Sequence, residues 1–235
     1  AISESLCELG ATVIIASRNL KNCEEVAAQL SASGLKAHAL QCDATIESDV
    51  NSLIHSVIQT HGKLDVFVCN AGGSTPDDDF PAASAEAFRE TITMNIETTF
   101  MCAQAAANVM IKQGHGKIIT IGSVHGVMGT DKRLYAGLNH KRSSIGYFAA
   151  KGGVINLTKF LSTHFAPDIR VNSIAPGGVE FDQDQSFKEK YASLTPMKRM
   201  MKKDELNQLV EFLCGSGSSY ITGSTIVVDG GWTSW

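Results

Sequence analysis

Tyr147-Phe148-Ala149-Ala150-Lys151 places a phenol and an amine four residues apart, on one face of a helix. A free phenol has a pKa of about 10, too high for proton exchange at neutral pH, and a nearby cation lowers it. The pair therefore makes a general acid/base. Of the four tyrosines, Tyr135, Tyr147, Tyr191 and Tyr220, only Tyr147 has a lysine four positions on; the others have Asn139, Thr195 and Ser224. Such a pair is common by chance and needs company from elsewhere in the chain.

The elements that must hold it follow from the pattern. Strand-like runs (residues 12–17, 36–42, 64–69, 117–122, 169–175 and 225–229) alternate with helical ones (20–33, 46–61, 84–113 and about 144–165), and Gly34, Gly62 and Gly114 stand where helices should stop. Strands apolar throughout, each followed by a helix, predict a parallel sheet covered on both faces, the doubly wound α/β class. Ligands of such sheets bind beyond the carboxyl ends of the strands.

Each strand end carries a candidate. Ser17-Arg18 follows the first; a hydroxyl and a guanidinium there suit the 2′-phosphate of NADP, and no acidic residue is present to take the ribose hydroxyls of NAD. The alternative is an exposed arginine at a strand end. Asp43 suits an adenine amine or a helix N-cap. Asn70-Ala71-Gly72-Gly73 lets a ligand approach the backbone, or is an ordinary turn. Asn95 lies inside a long helix, where asparagine is a poor former, so a specific hydrogen-bonding task is expected of it. Ser123 ends the KIITIG strand with a hydroxyl for a substrate carbonyl, or caps a turn. Pro176-Gly177-Gly178 leaves room for a ligand at the next strand end, or is a simple turn.

Composition narrows the class. The chain has 235 residues, a net charge of −4 and 19% charged residues. No basic stripe invites nucleic acid or an anionic membrane, and no apolar run spans a bilayer. Six scattered cysteines without a C-x-x-C pair read as reduced thiols of a cytoplasmic protein, and the seven histidines show no metal-ligand spacing. No linker or repeat divides the chain, so one domain over 1–235 is expected.

The joint order of these residues resembles the classical short-chain dehydrogenase/reductase family over essentially the whole length. The matching stretches are CNAGG (69–73), MNIETTF (94–100), IGSVHG (121–126), YFAAKGGVINLTK (147–159), IRVNSIAPGGV (169–179) and ITGSTIVVDGG (221–231). The resemblance implies a Rossmann-type sheet of strand order 3-2-1-4-5-6-7 and a homodimer or homotetramer built on the two long helices. It implies hydride transfer between a nicotinamide and a carbonyl/alcohol carbon. Tyr147 would be the acid/base, with Lys151 lowering its pKa and bonding the nicotinamide ribose. Ser123 would orient the carbonyl and Asn95 would hold a relay water. Contacts to the cofactor, NADP(H) favoured over NAD(H), would come from Ser17, Arg18, Asp43, Ala44, Asn70, Ala71, Gly72, Tyr147, Lys151, Pro176, Gly177 and Val179.

Three departures from the family stand out. Residues 2–9 read as the end of a helix, so the strand and glycine-rich turn that should precede it, roughly 20 residues by ordinary element lengths, are missing from this chain; a truncated N-terminus is expected. Ser123 and Tyr147 lie 24 positions apart, about twice the family's usual spacing, and Tyr135 sits nearer that spacing; without a lysine four residues on, Tyr135 is set aside. The insertion, about 128–143, carries Lys132, Arg133, Lys141 and Arg142, a rim for an anionic substrate or a solvated loop. A segment of about 179–203, rich in acids, amides and aromatics, replaces the family's substrate lid and suits a polar substrate. His125 and Phe181 are further substrate candidates. The long insertion, PGGVEFDQ and the C-terminal tail are similar to reductases of bacterial surface-glycan pathways such as legionaminic-type clusters. The expected activity is NADP(H)-dependent oxidoreduction of a polar, sugar-like metabolite; the alternatives are a 3-oxoacyl thioester reductase and a non-catalytic NADP-binding fragment.

Overall fold

The computed structural model describes residues 1–75, 80, 82–137 and 144–235. Helix α1 (Ile2–Glu8) leads into β1 (Val13–Ser17), α2 (Leu20–Ala32), β2 (Ala37–Gln41), α3 (Glu47–His61) and β3 (Val66–Cys69). The expected long helix after β3 is three pieces: α4 (Ala85–Ile92), a π-turn (Thr93–Glu97) and α5 (Thr98–Gln113). Then come β4 (Gly116–Ile121), a short α6 (Lys132–Tyr135), α7 (Ile145–Phe165), β5 (Ile169–Pro176), α8 (Gln185–Leu194), α9 (Asn207–Cys214) and β6 (Thr225–Val228).

All strand pairings are parallel. Among the described residues they form two sheets, β1-β2 and β3-β4-β5-β6, with no ladder between them. The resemblance implies a strand order of 3-2-1-4-5-6-7 with its first strand absent from between β1 and β3, and the ladders present are these two parallel sheets. What joins the two sheets is apolar packing: Ile14 of β1 and Leu40 of β2 rest on the same core as Phe67 of β3.

That core follows from strand alternation. Ile118 and Ile119 are neighbours on β4, each 1% exposed, yet they serve opposite faces. Ile118 belongs to one apolar cluster with Val50 and Ile54 of α3 and Ala106 and Met110 of α5, and Ile119 to another with Val210 and Leu213 of α9. Burying an isoleucine side chain stabilises the fold by about 1.5–3 kcal/mol. Both faces being covered is the reason the strand carries isoleucines on both of them. Gly62 and Gly114 end α3 and α5 with φ of 75° and 73°, as their positions after the apolar periodicity predict.

Candidate active site

The site lies at the carboxyl ends of β3 and β4, against the first turns of α7. Ser144 starts α7 by accepting a hydrogen bond from the Tyr147 N–H at 3.3 Å. The Ser144 hydroxyl is itself paired with Ser74 at 2.9 Å, and Thr91 of α4 lies 2.7 Å from the Thr75 hydroxyl. This buried hydroxyl network fixes the start of α7 to the loop after β3. Its members are far apart in sequence, and only Ser144 carried a signal, as a helix cap.

Ser123, after β4, is 8% exposed. Its Oγ accepts from the His125 N–H at 3.1 Å and stands near enough to the Tyr147 phenol to pull its pKa down. The turn-capping reading of Ser123 holds: its side chain caps the short helical turn that follows β4. That turn approaches α7 closely at Gly126, where a Cβ would lie 2.6 Å from the Lys151 carbonyl carbon and oxygen. Any side chain at Gly126 would push the serine away from the tyrosine, a constraint the sequence reading missed.

Lys151 is buried, and its Nζ donates to the Ile121 carbonyl at 2.7 Å while standing 5.5 Å from the Tyr147 ring centroid. Burial lowers its pKa to about 8. Burial also raises the Tyr147 pKa, against which the nearby Ser123 hydroxyl pulls down. The expectation that Lys151 lowers the phenol's pKa is not met in this arrangement. The ammonium faces a backbone carbonyl across the ring instead of the hydroxyl, and desolvation dominates.

Asn95 is the central residue of the π-turn and fully buried. Its Nδ2 donates to the carbonyls of Gly73 at 2.6 Å and Thr91 at 2.8 Å, and its Oδ1 accepts from the Gly73 N–H at 3.4 Å. Its own carbonyl accepts from the Thr99 hydroxyl at 2.6 Å. The amide's task is therefore to clamp the loop after β3. At Gly72 a Cβ would stand 2.7 Å from Asn95 Oδ1 and 3.5 Å from Lys151 Nζ. Asn70-Ala71-Gly72 thus presents bare backbone beside the buried ammonium, which fits the close approach of a nicotinamide ribose.

The other candidates fall in separate places. Ser17 and Arg18 are exposed at the end of β1. The Ser17 hydroxyl donates to the Asn19 carbonyl, and Gln41 donates to that of Arg18. Asp43 accepts from the N–H and hydroxyl of Thr45 at 3.0 and 2.7 Å, which holds its carboxyl below the usual range, with the Arg18 guanidinium adding to the effect. Asp43 does not cap α3, whose N-cap residue is Ile46. Ala44 is half-buried beside it. Exposed Arg18 with Asp43 at the neighbouring strand end suits a phosphate and an adenine.

Pro176, Gly177 and Gly178 lie under the lid segment: the Gly178 N–H donates to the Tyr191 hydroxyl at 2.7 Å, and Val179 bridges to Met201. A Cβ on Gly178 would meet the Tyr191 ring at 2.7 Å, so this glycine answers to α8. Phe181 is 76% exposed and presents its ring to solvent. In the insertion, α6 packs Leu134 and Tyr135 against Phe187 of α8 and, with Met200 and Trp232, forms its own apolar cluster. Tyr135 therefore packs against α8, and Tyr147 is the tyrosine whose pKa Ser123 pulls down. Arg133 is held bidentate by Asp131, which neutralises part of the expected basic rim. Asn139, Lys141 and Arg142 lie outside the described residues.

Residues 1–233 match the family described as enoyl-(acyl carrier protein) reductase. The chain is 32% identical over 237 residues to a 3-oxoacyl-[acyl-carrier-protein] reductase, FabG, of Aquifex aeolicus, covering 98% of this chain and 91% of that protein. It superposes on a short-chain type dehydrogenase/reductase from Mycobacterium marinum with a TM-score of 0.88, 32% identity and coverage of 99% and 89%. It also superposes on a gluconate 5-dehydrogenase from Burkholderia cenocepacia in complex with NADP and tartrate, with a TM-score of 0.88, 29% identity and coverage of 100% and 90%.

Proposed function

This chain belongs to the short-chain dehydrogenase/reductase family, oxidoreductases acting on CH–OH groups, and from that premise we propose that it uses NADP(H) to interconvert a carbonyl and an alcohol on a polar, sugar-like metabolite. The observation that carries the reading is the Ser123 hydroxyl near the Tyr147 phenol, whose pKa it pulls down, with Lys151 buried beside the same ring. Two neighbouring hydroxyls can both turn toward one carbonyl oxygen. Ser123 orients that oxygen, and Tyr147 gives it a proton in reduction and takes the proton back in oxidation.

The nicotinamide, when bound, supplies or accepts the hydride. Lys151 and the Gly72 backbone hold its ribose; Asn70, Ala71, Pro176, Gly177 and Val179 line its path; Arg18 and Ser17 receive the 2′-phosphate, and Asp43 and Ala44 the adenine. Lys151 has a pKa of about 8, so it is mainly an ammonium at neutral pH and close enough to titration to resupply the Tyr147 proton. Asn95 keeps Gly72 and Gly73 in register with Lys151, and beside that clamp its role in a relay through ordered water is part of the proposal.

Polarity of the substrate is supported by the lid segment and by the gluconate 5-dehydrogenase complex, whose title names NADP and tartrate; a surface-glycan keto-sugar is the finer form of this reading. The reading extends to a cytoplasmic homo-oligomer, supported by the exposed apolar residues Phe100 and Ile111 on α5 and Phe160 on α7. A second reading, reduction of 3-oxoacyl thioesters, is favoured by the Aquifex relative. An NADPH- and NADP-linked screen of keto-sugars, polyols and 3-oxoacyl thioesters separates the two. Turnover of the thioesters alone would replace the first reading with the second, and no turnover of any would overturn both.

A further inference from the structure

His125 sits two residues after Ser123 in a turn whose tight contact with α7 at Gly126 leaves it little freedom. Its imidazole stacks on the Phe148 ring at 4.3 Å and 22°, and meets the Tyr147 ring edge-on at 5.9 Å and 84°. The ring is thus fixed against the acid/base and joined through its own backbone to the serine that meets it. Of its two nitrogens, Nδ1 is sealed from solvent and has no hydrogen-bond partner. The residue as a whole is only half-buried, and Nε2 is the nitrogen not sealed in this way.

A neutral imidazole carries one proton, and its position follows from the surroundings. A proton on Nδ1 would be an orphaned buried donor, which folded proteins rarely tolerate. A proton on Nε2 leaves no such orphan among the described residues. Charging the ring would require both, which agrees with burial lowering the His125 pKa to about 4. His125 therefore offers one N–H beside the Ser123–Tyr147 pair throughout the neutral range.

Resting on the oxidoreductase reading and deepening it, we propose that His125 is a specificity-determining residue whose Nε2–H binds an oxygen on the carbon next to the reacting carbonyl. The substrate class is then an α-oxygenated ketone and its vicinal diol, as ketoses and polyols provide. A ketone without that oxygen leaves the N–H unpaired in a partly dry site, and this is where selectivity arises.

The probes are acetoin and 2-butanone, which differ by that hydroxyl, each reduced with NADPH. The native protein is expected to favour acetoin in kcat/KM by about tenfold, the worth of one hydrogen bond. His125→Phe, which keeps an aromatic ring against Phe148, should bring the ratio to about one. His125→Gln, which keeps an N–H donor, should restore part of it. A ratio unchanged in His125→Phe overturns the inference, as does a native protein that reduces both ketones equally well; the oxidoreductase reading survives either result. A native protein that reduces neither ketone overturns this inference, and the oxidoreductase reading then stands or falls on the screen of keto-sugars, polyols and thioesters. Nitrogen-15 chemical shifts of the native protein give a test free of any variant: they should show His125 neutral with its proton on Nε2, and a proton on Nδ1 overturns the inference.

Discussion

Asn95 holds Gly73 from both sides, donating from Nδ2 to its carbonyl at 2.6 Å and accepting its N–H on Oδ1 at 3.4 Å. A buried side chain thereby replaces the strand partner that the chain loses on leaving β3. Asn95→Ala would strand both groups and open a cavity, at a cost of about 2–4 kcal/mol. Asn95→Asp should cost more, because a carboxylate would face the carbonyls of Gly73 and Thr91. Urea midpoints of the three proteins check the order; an Asp variant as stable as the native protein would show that the clamp is dispensable.

Lys151 gives the fold a pH signature. Its native pKa of about 8 lies below the ordinary lysine value of 10.5, so between these values the unfolded chain binds more protons than the native one. Stability must then rise with pH across that window, and below it the buried charge costs the fold about 3 kcal/mol in order of magnitude. Plotting the stability difference between the native protein and Lys151→Met against pH should give a line that is flat below pH 7 and climbs above about pH 8. A flat difference throughout would mean that the ammonium is effectively solvated.

Tyr147→Phe should abolish turnover, a loss of a thousandfold or more, while leaving the dissociation constant for NADPH within about threefold. Tyr135→Phe should leave turnover near the native rate. The Tyr135 ring lies 6.2 Å from Phe187, inside the lid contact. Loss of turnover in the Tyr135 variant instead would reassign the acid.

Arg18 stands exposed at the end of β1, with Asp43 nearby. Arg18→Ala should raise KM for NADPH about tenfold or more, the value of a charge-assisted contact to phosphate, and leave KM for NADH within about twofold. Equal losses for the two cofactors would place the 2′-phosphate elsewhere.

How much of this was legible beforehand depends on the kind of signal. β4 and β5 could be read because strands buried on both faces carry apolar residues on both, as Ile118 and Ile119 do on β4 and Ile174 and Ala175 on β5, and Gly62 and Gly114 marked helix ends through the left-handed conformation they adopt. Ser123, Tyr147 and Lys151 were legible as a set because one helix turn and one strand end suffice to place them. The break in the long helix at Thr93–Glu97 was not: a π-turn adds one residue to a helical turn, and only the unexpected Asn95 hinted at it. Helices α8 and α9 span ten and eight residues, too short for periodicity to separate them from loop. The hydroxyl network of Ser74, Thr75, Thr91 and Ser144 joins three segments by contacts that no local pattern encodes. The direction of the Tyr147 shift was missed because spacing places a lysine beside a tyrosine without saying which atom its ammonium faces.

The chain contains two tryptophans, and both touch the lid helix. Trp232 stacks on Tyr191 at 4.5 Å, and the Trp235 indole N–H donates to the Leu194 carbonyl, the last residue of α8, at 3.1 Å. Ultraviolet emission from this protein thus originates at a single corner. When α8 shifts, the stacked indole loses its neighbour and the outer one its acceptor, and both changes alter intensity and wavelength. The two indoles thus give an optical gauge of the position of α8, readable in a stopped-flow instrument without attaching a dye.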